Sequence, residues 1–150
     1  MSWSAGTYIA TIESTAGSST AAASARSKSA AVPVAGNKIG GSIQRTTDGA
    51  VTWTQVAGFS LPLFGLEQAD ATTLYAVGQA LQLLKSTDDG ATWEQKAVAG
   101  VPGGDFGSIR CSDADNCLFA MRQGNRIVKT TDGGDTFTAA TPPAESAFAV

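Results

Sequence analysis

The sequence predicts an all-β chain, part of a β-propeller of four-stranded antiparallel blades. Three observations carry that prediction. One phrase occurs three times: Thr46-Thr47-Asp48-Gly49-Ala50-Val51-Thr52-Trp53, Ser86-Thr87-Asp88-Asp89-Gly90-Ala91-Thr92-Trp93 and Thr130-Thr131-Asp132-Gly133-Gly134-Asp135-Thr136-Phe137. Its aspartates stand 40 and then 44 residues apart, a spacing that suits one four-stranded blade per period. Between the copies, apolar residues come in adjacent pairs, Leu83-Leu84, Leu118-Phe119 and Ile127-Val128, as in strands covered on both faces.

Aligning the phrases sets the elements in order, with strands A, B, C and D in each blade. The first blade, about 5–56, has A at 6–12, B at 30–36, a turn at Asn37, C at 41–45 and D from Trp53. The second, about 61–98, has A at 63–66, B at 73–78, C at 81–85 and D from Trp93. The third, about 105–141, has A at 106–110, B at 117–121, a turn at Gly124-Asn125, C at 126–129 and D from Phe137. Residues 146–150 read as the first strand of a further blade. Seventeen glycines and many Thr, Ser and Val residues suit short strands and tight turns. Residues 14–29 are almost wholly Ser, Ala, Gly and Thr, with Arg26 and Lys28 their only basic residues. Such a stretch buries little and reads as a loop. Three blades and a strand fall short of the four to eight that close a ring. The expectation is a segment of a longer chain, with self-association to complete the ring as the alternative.

Composition removes several function classes. Of 150 residues, 43% are hydrophobic and 15% charged, which is globular. The net charge is −3, so no basic stripe is available for nucleic acid or for an anionic membrane surface. There is no histidine, which excludes His-based triads, proton shuttles and His metal ligands within this chain. No stretch is long and apolar enough to span a membrane. The start lacks the basic and apolar regions of a signal peptide. Either the protein is not exported or a leader has been removed.

Cys111 and Cys117 enclose five residues, a spacing that fits a hairpin staple, with two free buried thiols as the alternative. Two cysteines alone make a poor zinc site. A disulfide implies an extracellular or periplasmic location.

The phrase fits a hairpin between strands C and D. Its aspartate (Asp48, Asp88, Asp132) accepts hydrogen bonds from nearby amides and from hydroxyls such as those of Thr46, Thr52, Ser86, Thr92, Thr130 and Thr136. Gly90 and Gly134 supply a positive φ, and Trp53, Trp93 and Phe137 anchor the turn in the apolar layer. The form Ser/Thr-x-Asp-x-Gly-x-Thr-Trp/Phe resembles the Asp-box, or BNR, repeat. The first copy departs from it, with Ala50 where the pattern has glycine. Asp-box propellers include sialidases, xyloglucan-degrading glycosidases, sortilin-type receptors and photosystem II assembly and stability factors. Leu74-Tyr75-Ala76-Val77-Gly78 and 129–134 look most like the last group and its bacterial relatives. The paired cysteines also resemble secreted bacterial members. The resemblance implies peripheral boxes with a structural, not catalytic, role.

Other constellations read as structure. Asp113-Ala114-Asp115-Asn116 suggests a calcium loop, yet the sixth and twelfth positions from Asp113 hold Leu118 and Gly124, not the required Gly and Glu. It reads as a polar turn closed by the cysteines. Glycosidase chemistry needs two placed carboxylates, or Tyr with Glu; Glu13, Glu67, Glu94 and Glu145 are scattered, and Tyr8 and Tyr75 read as strand residues. The arginine triad and Arg-Ile-Pro phrase of sialidases are not recognisable, since Arg126-Ile127 is followed by Val128. The glycines of 100–107 lack the setting of a phosphate loop. Arg45, Lys85 and Lys129 each precede a copy of the phrase. Such a row either neutralises carboxylates on exposed strand ends or binds an acidic partner. No catalytic residue, metal or cofactor is expected. The expected function is a non-enzymatic binding or assembly scaffold for an unidentified protein or glycan. The alternative is a segment of a secreted glycoside hydrolase, sialidase-like or xyloglucanase-like, whose catalytic residues lie outside this chain.

Overall fold

A computed structural model of the chain describes residues 8–15, 18–22, 40–48 and 51–140. The described residues form twelve strands in three antiparallel sheets of four. The first sheet holds β1 (Tyr8–Thr15), β2 (Ser18–Ala22), β3 (Gly40–Thr46) and β4 (Thr54–Phe59), in the spatial order β2-β1-β3-β4. The second runs β5 (Leu63–Gln68), β6 (Leu74–Gly78), β7 (Leu83–Ser86) and β8 (Glu94–Lys96), each strand beside the next. The third repeats that meander with β9 (Phe106–Cys111), β10 (Cys117–Met121), β11 (Ile127–Thr130) and β12 (Thr138–Ala140).

The second sheet bears out the adjacent apolar pair Leu83-Leu84, one residue in each core layer, whereas in the third sheet Phe119 and Val128 are buried, Ile127 is half-buried and Leu118 is 49% exposed. Successive side chains of a strand point to opposite faces. In β6, Leu74 and Ala76 join Ile43, Leu63, Leu66 and Leu84 in a core layer between sheets one and two. Tyr75 and Val77 join Leu83, Phe106, Ile109, Phe119, Met121 and Val128 in a layer between sheets two and three. All five residues of β6 are therefore buried. Phe106 and Phe119 stack tilted at 5.0 Å in the second layer. Each large apolar side chain so buried stabilises the fold by about 1.5–3 kcal/mol. Gly65 lets the inner strands approach, since a Cβ there would lie 3.0 Å from Val77 and 3.4 Å from the Ser108 Cα.

The first sheet departs from the expected order. The strand expected at 6–12 as the innermost lies in second place, with Ile9 opposite Arg45 and Thr11 opposite Ile43. Residues 18–22, read as loop, form β2 and pair back on β1 from Thr11↔Ala22 to Thr15↔Ser18. Backbone pairing needs no apolar side chain, and Thr favours extended structure. Strand formation there was invisible to a reading based on hydrophobic content. The strands expected at 30–36 and 146–150 lie outside the described residues.

Smaller differences have local causes. The D strands begin one residue after Trp53, Trp93 and Phe137. Strand C of the second sheet begins at Leu83 because Gln79–Leu81 form a 3₁₀ turn. In that turn Ala80 (φ 55) and Leu81 (φ 58) are left-handed. The third sheet's leading loop holds them there. The Ala80 amide donates to Asp105 Oδ1 at 2.9 Å, and the Leu81 amide to the Gly104 carbonyl at 3.0 Å.

Candidate functional site

The three copies of the phrase fold alike around their aspartates. Asp88 Oδ1 accepts from Ser86 Oγ and the Thr92 amide, both at 2.8 Å, and Oδ2 accepts from Thr92 Oγ1 at 2.6 Å. Asp132 accepts from Thr130 Oγ1 (2.8 Å), the Asp135 amide (3.1 Å), the Thr136 amide (2.9 Å) and the Thr136 hydroxyl. Asp48 accepts from Thr46 Oγ1 (2.6 Å), the Val51 amide (3.1 Å), the Thr52 amide and the Thr52 hydroxyl. The leading hydroxyl serves twice. Ser86 Oγ and Thr130 Oγ1 also accept from the Gly90 and Gly134 amides, at 2.9 and 3.0 Å. The turn needs two left-handed residues in a row, Asp89 (φ 56) with Gly90 (φ 77), and Gly133 (φ 69) with Gly134 (φ 92). Only the second of each pair was anticipated. The corresponding positions of the first copy, 49–50, lie outside the described residues.

These bonds set the charge state. The Thr92 hydroxyl, chiefly, holds the Asp88 carboxyl down at about 2. Thr46 does the same for Asp48, and Thr136 for Asp132; both lie well below the usual carboxylate range. A carboxylate so engaged is a weak base and cannot supply a proton near neutral pH. Of the anchoring aromatics, Trp93 packs on the first core layer and its indole N–H donates to the Gly90 carbonyl at 3.2 Å. Phe137 packs on the second layer, edge-on to Phe119 at 6.0 Å. Trp53 is half-buried.

The residue after Asp88 and the residue after Asp132 each tie the phrase to two other places. Each amide donates inward to the A–B turn of its own sheet: Asp89 to the Thr72 carbonyl (2.9 Å) and Gly133 to the Asp115 carbonyl (3.0 Å). Each carbonyl accepts from the preceding sheet: Asp89 O from Arg45 Nε (3.0 Å), Gly133 O from Lys85 Nζ (3.1 Å). Arg45 also pairs with the Asp89 carboxylate at 3.2 Å. Arg45 and Lys85 are therefore inter-sheet ties rather than members of an open cationic row. Tyr75 reinforces the second tie. Its hydroxyl reaches the Ala114 carbonyl at 2.6 Å and the Gly133 carbonyl at 3.1 Å, and Lys85 Nζ sits 5.4 Å from the centre of its ring. Burial, above all, pushes the Tyr75 hydroxyl up to about 12.

The A–B turns are themselves a repeated device that sequence reading missed in one copy. Asp70 Oδ1 accepts from the Thr72 and Thr73 amides, and Asp113 Oδ1 from the Asp115 and Asn116 amides. The shared signal was Asp-Ala two residues into the loop, at 70–71 and 113–114. Cys111 and Cys117 form a disulfide and are directly opposed across β9 and β10. They close the second of these turns, where Gln68 and Leu74 are opposed in the first. Glu67, only 3% exposed, accepts from the Cys111 amide and from Arg110, both at 3.4 Å. Glu94 lies exposed on β8. Among the described residues no helix is long and apolar enough to cross a membrane.

Consecutive four-stranded antiparallel sheets, each packed face to face on the next and tied to it through a repeated C–D turn, define part of a β-propeller. Solved propellers share this fold. YCF48 bound to a D1 peptide matches with a TM-score of 0.58 at 20% identity, over 67% of this chain and 35% of that one. The GH74 enzyme of Niastella koreensis matches with a TM-score of 0.51 at 23% identity, over 83% of this chain and 21% of that one. YCF48 from Cyanidioschyzon merolae matches with a TM-score of 0.52 at 11% identity, over 91% of this chain and 57% of that one. The chain thus spans less than two thirds of each, and at these identities the likeness is one of fold. No family model and no curated protein sequence matches the chain.

Proposed function

We propose that this chain is a non-enzymatic binding or assembly scaffold, built from Asp-box blades and acting on a protein segment outside a reducing cytosol. The observation that carries the reading is how the repeated polar groups are used. Asp48, Asp88 and Asp132 are filled by turn donors, and Arg45, Lys85 and Tyr75 are engaged between sheets. The repeated aspartates, together with Arg45, Lys85 and Tyr75, are thus committed to rigidity. A rigid frame presents loops for recognition without ordering cost at binding. A structure of the same fold holds a D1 peptide, which favours a peptide partner. The disulfide supports the oxidising compartment.

The test is a titration of a labelled D1 peptide with the 150-residue chain, followed by fluorescence anisotropy, beside an assay for reducing ends released from xyloglucan. Saturable peptide binding supports the scaffold. Failure to bind overturns the peptide partner, and sugar release overturns the non-enzymatic reading. The likeness to a GH74 enzyme keeps the second reading specific: a glycoside hydrolase segment whose catalytic residues lie outside this chain.

A further inference from the structure

The disulfide stands in one of two otherwise matching turns. The A–B turns 69–73 and 112–116 are equal in length and similarly folded, the first around Asp70 and the second around Asp113. They differ in what they carry. Outside itself, the 69–73 turn accepts only from the Asp89 amide, at the Thr72 carbonyl. Among the described residues no hydrogen bond from the first sheet reaches it, and its flanking residues, Gln68 and Leu74, are not cross-linked. The 112–116 turn accepts from the Gly133 amide at the Asp115 carbonyl, and from the second sheet at the Ala114 carbonyl, which takes the Tyr75 hydroxyl at 2.6 Å. At its entry the Cys111 amide donates to Glu67 of the second sheet at 3.4 Å. The covalent bond thus closes the turn that serves as an acceptor for the neighbouring sheet. Cys111 and Cys117 also lie in the apolar layer of that seam, with Tyr75 and Phe119.

We propose that the Cys111–Cys117 disulfide is a redox-sensitive lock on the seam between the second and third sheets. Oxidised, it fixes the Ala114 and Asp115 carbonyls where Tyr75 and Gly133 reach them. A dithiol opens the lock. One thiolate of the reductant attacks a cystine sulfur and forms a mixed disulfide, and its second thiol then displaces the cysteine. Two electrons and two protons pass to the cystine, which becomes two thiols, and the reductant leaves as a cyclic disulfide. The freed turn keeps Asp113 to fold it, as 69–73 keeps Asp70 without any cross-link. The strands therefore stay paired while the ties at Ala114 and Asp115 loosen. The coupling runs both ways. Both cysteines are buried, so reduction waits on opening of the turn, and the Tyr75 hydroxyl opposes that opening.

Two measurements on the full 150-residue chain test this, with dithiothreitol as the reductant. The first compares amide exchange before and after reduction. Exchange at Gly133 is expected to quicken roughly tenfold or more through local opening. Asp89, whose amide bonds to the turn without a disulfide, keeps its rate, and circular dichroism keeps its strand signal. The second follows the rate of reduction by alkylation and mass. Tyr75→Phe is expected to speed it roughly fivefold, the worth of one hydrogen bond. Arg45→Ala, which loosens the other seam, leaves it unchanged. Unchanged exchange at Gly133 after reduction overturns the proposal, as does loss of the whole strand signal. A reduction rate indifferent to Tyr75→Phe overturns it too. Equal acceleration by Arg45→Ala also does so, because the sulfurs would then be reached through global unfolding.

Discussion

Replacing Tyr75 by Phe removes a single oxygen from the seam between the second and third sheets. The ring stays, fully buried among Val77, Leu83 and Phe106. The lost hydroxyl donates to the Ala114 carbonyl at 2.6 Å and lies 3.1 Å from the Gly133 carbonyl. Gly133 keeps Lys85 as a donor, so the loss falls mainly on Ala114. One hydrogen bond is worth a net ~0.5–1.5 kcal/mol, and a partly buried acceptor left unpaired adds to that. The expected loss is about 1–2 kcal/mol, which for a chain this size lowers Tm by roughly 2–8 °C. Urea denaturation followed by tryptophan fluorescence reads it as a lower midpoint with an unchanged slope. The alkaline limb offers a second readout. Burial raises the Tyr75 hydroxyl from 10.0 to about 12 in the folded chain. Its contribution is therefore whole below pH 10 and is lost as pH climbs toward 12, because the unfolded state ionises first. The Phe variant lacks that part of the alkaline loss. A stability change below about 0.3 kcal/mol, where a net hydrogen bond is worth at least 0.5, would refute the reasoning and mean that solvent replaces the hydroxyl.

Three further outcomes follow from the turns. The lowered carboxyls of Asp48, Asp88 and Asp132 contribute stability that is present above pH 3.8 and is lost as pH falls toward 2 and below. Asp88→Asn is expected to flatten the acid limb in a Tm–pH series. Removing the disulfide with Cys111→Ser and Cys117→Ser is expected to cost about 2 kcal/mol, the value for so short a loop, measured by urea denaturation. Thiol titration of the unreduced, denatured wild type is expected to find no free thiol. Gly134→Ala has room for its Cβ, with the nearest atom, in Leu83, 3.5 Å away, but must hold φ at +92. The expected cost is ~1–2 kcal/mol, again by denaturation midpoint.

The second and third sheets were legible because two signals coincided. Adjacent apolar residues such as Leu83-Leu84 marked strands covered on both faces, and the aspartate phrase marked where each hairpin turned. The first sheet was less so, because 18–22 forms a strand from a Ser, Thr and Ala sequence with no apolar pattern. The aspartates were readable as turn centres from their spacing to Thr52, Thr92 and Thr136. Their partners across the seam were not. Arg45 to Asp89 and Lys85 to Gly133 span 44 and 48 residues, and the acceptor in each tie is a main-chain carbonyl that no side-chain pattern encodes. Tyr75 likewise read as a strand residue, and its reach to the Ala114 carbonyl depends on how two sheets stack. The 3₁₀ turn at Gln79–Leu81 is set by Asp105 in the loop leading into the next sheet, which local propensity does not see.

The central claim is that the residue after Asp88 and the residue after Asp132 each lock their turn to the A–B turn of their own sheet. Amide hydrogen exchange at Asp89 and Gly133 tests that claim most directly. Both amides lie in turns, yet both donate to carbonyls of the A–B turns, Thr72 and Asp115. The account predicts that they exchange as slowly as the strand amides of Tyr75 and Phe119. Exchange as fast as that of the exposed turn residue Ala71 would contradict it.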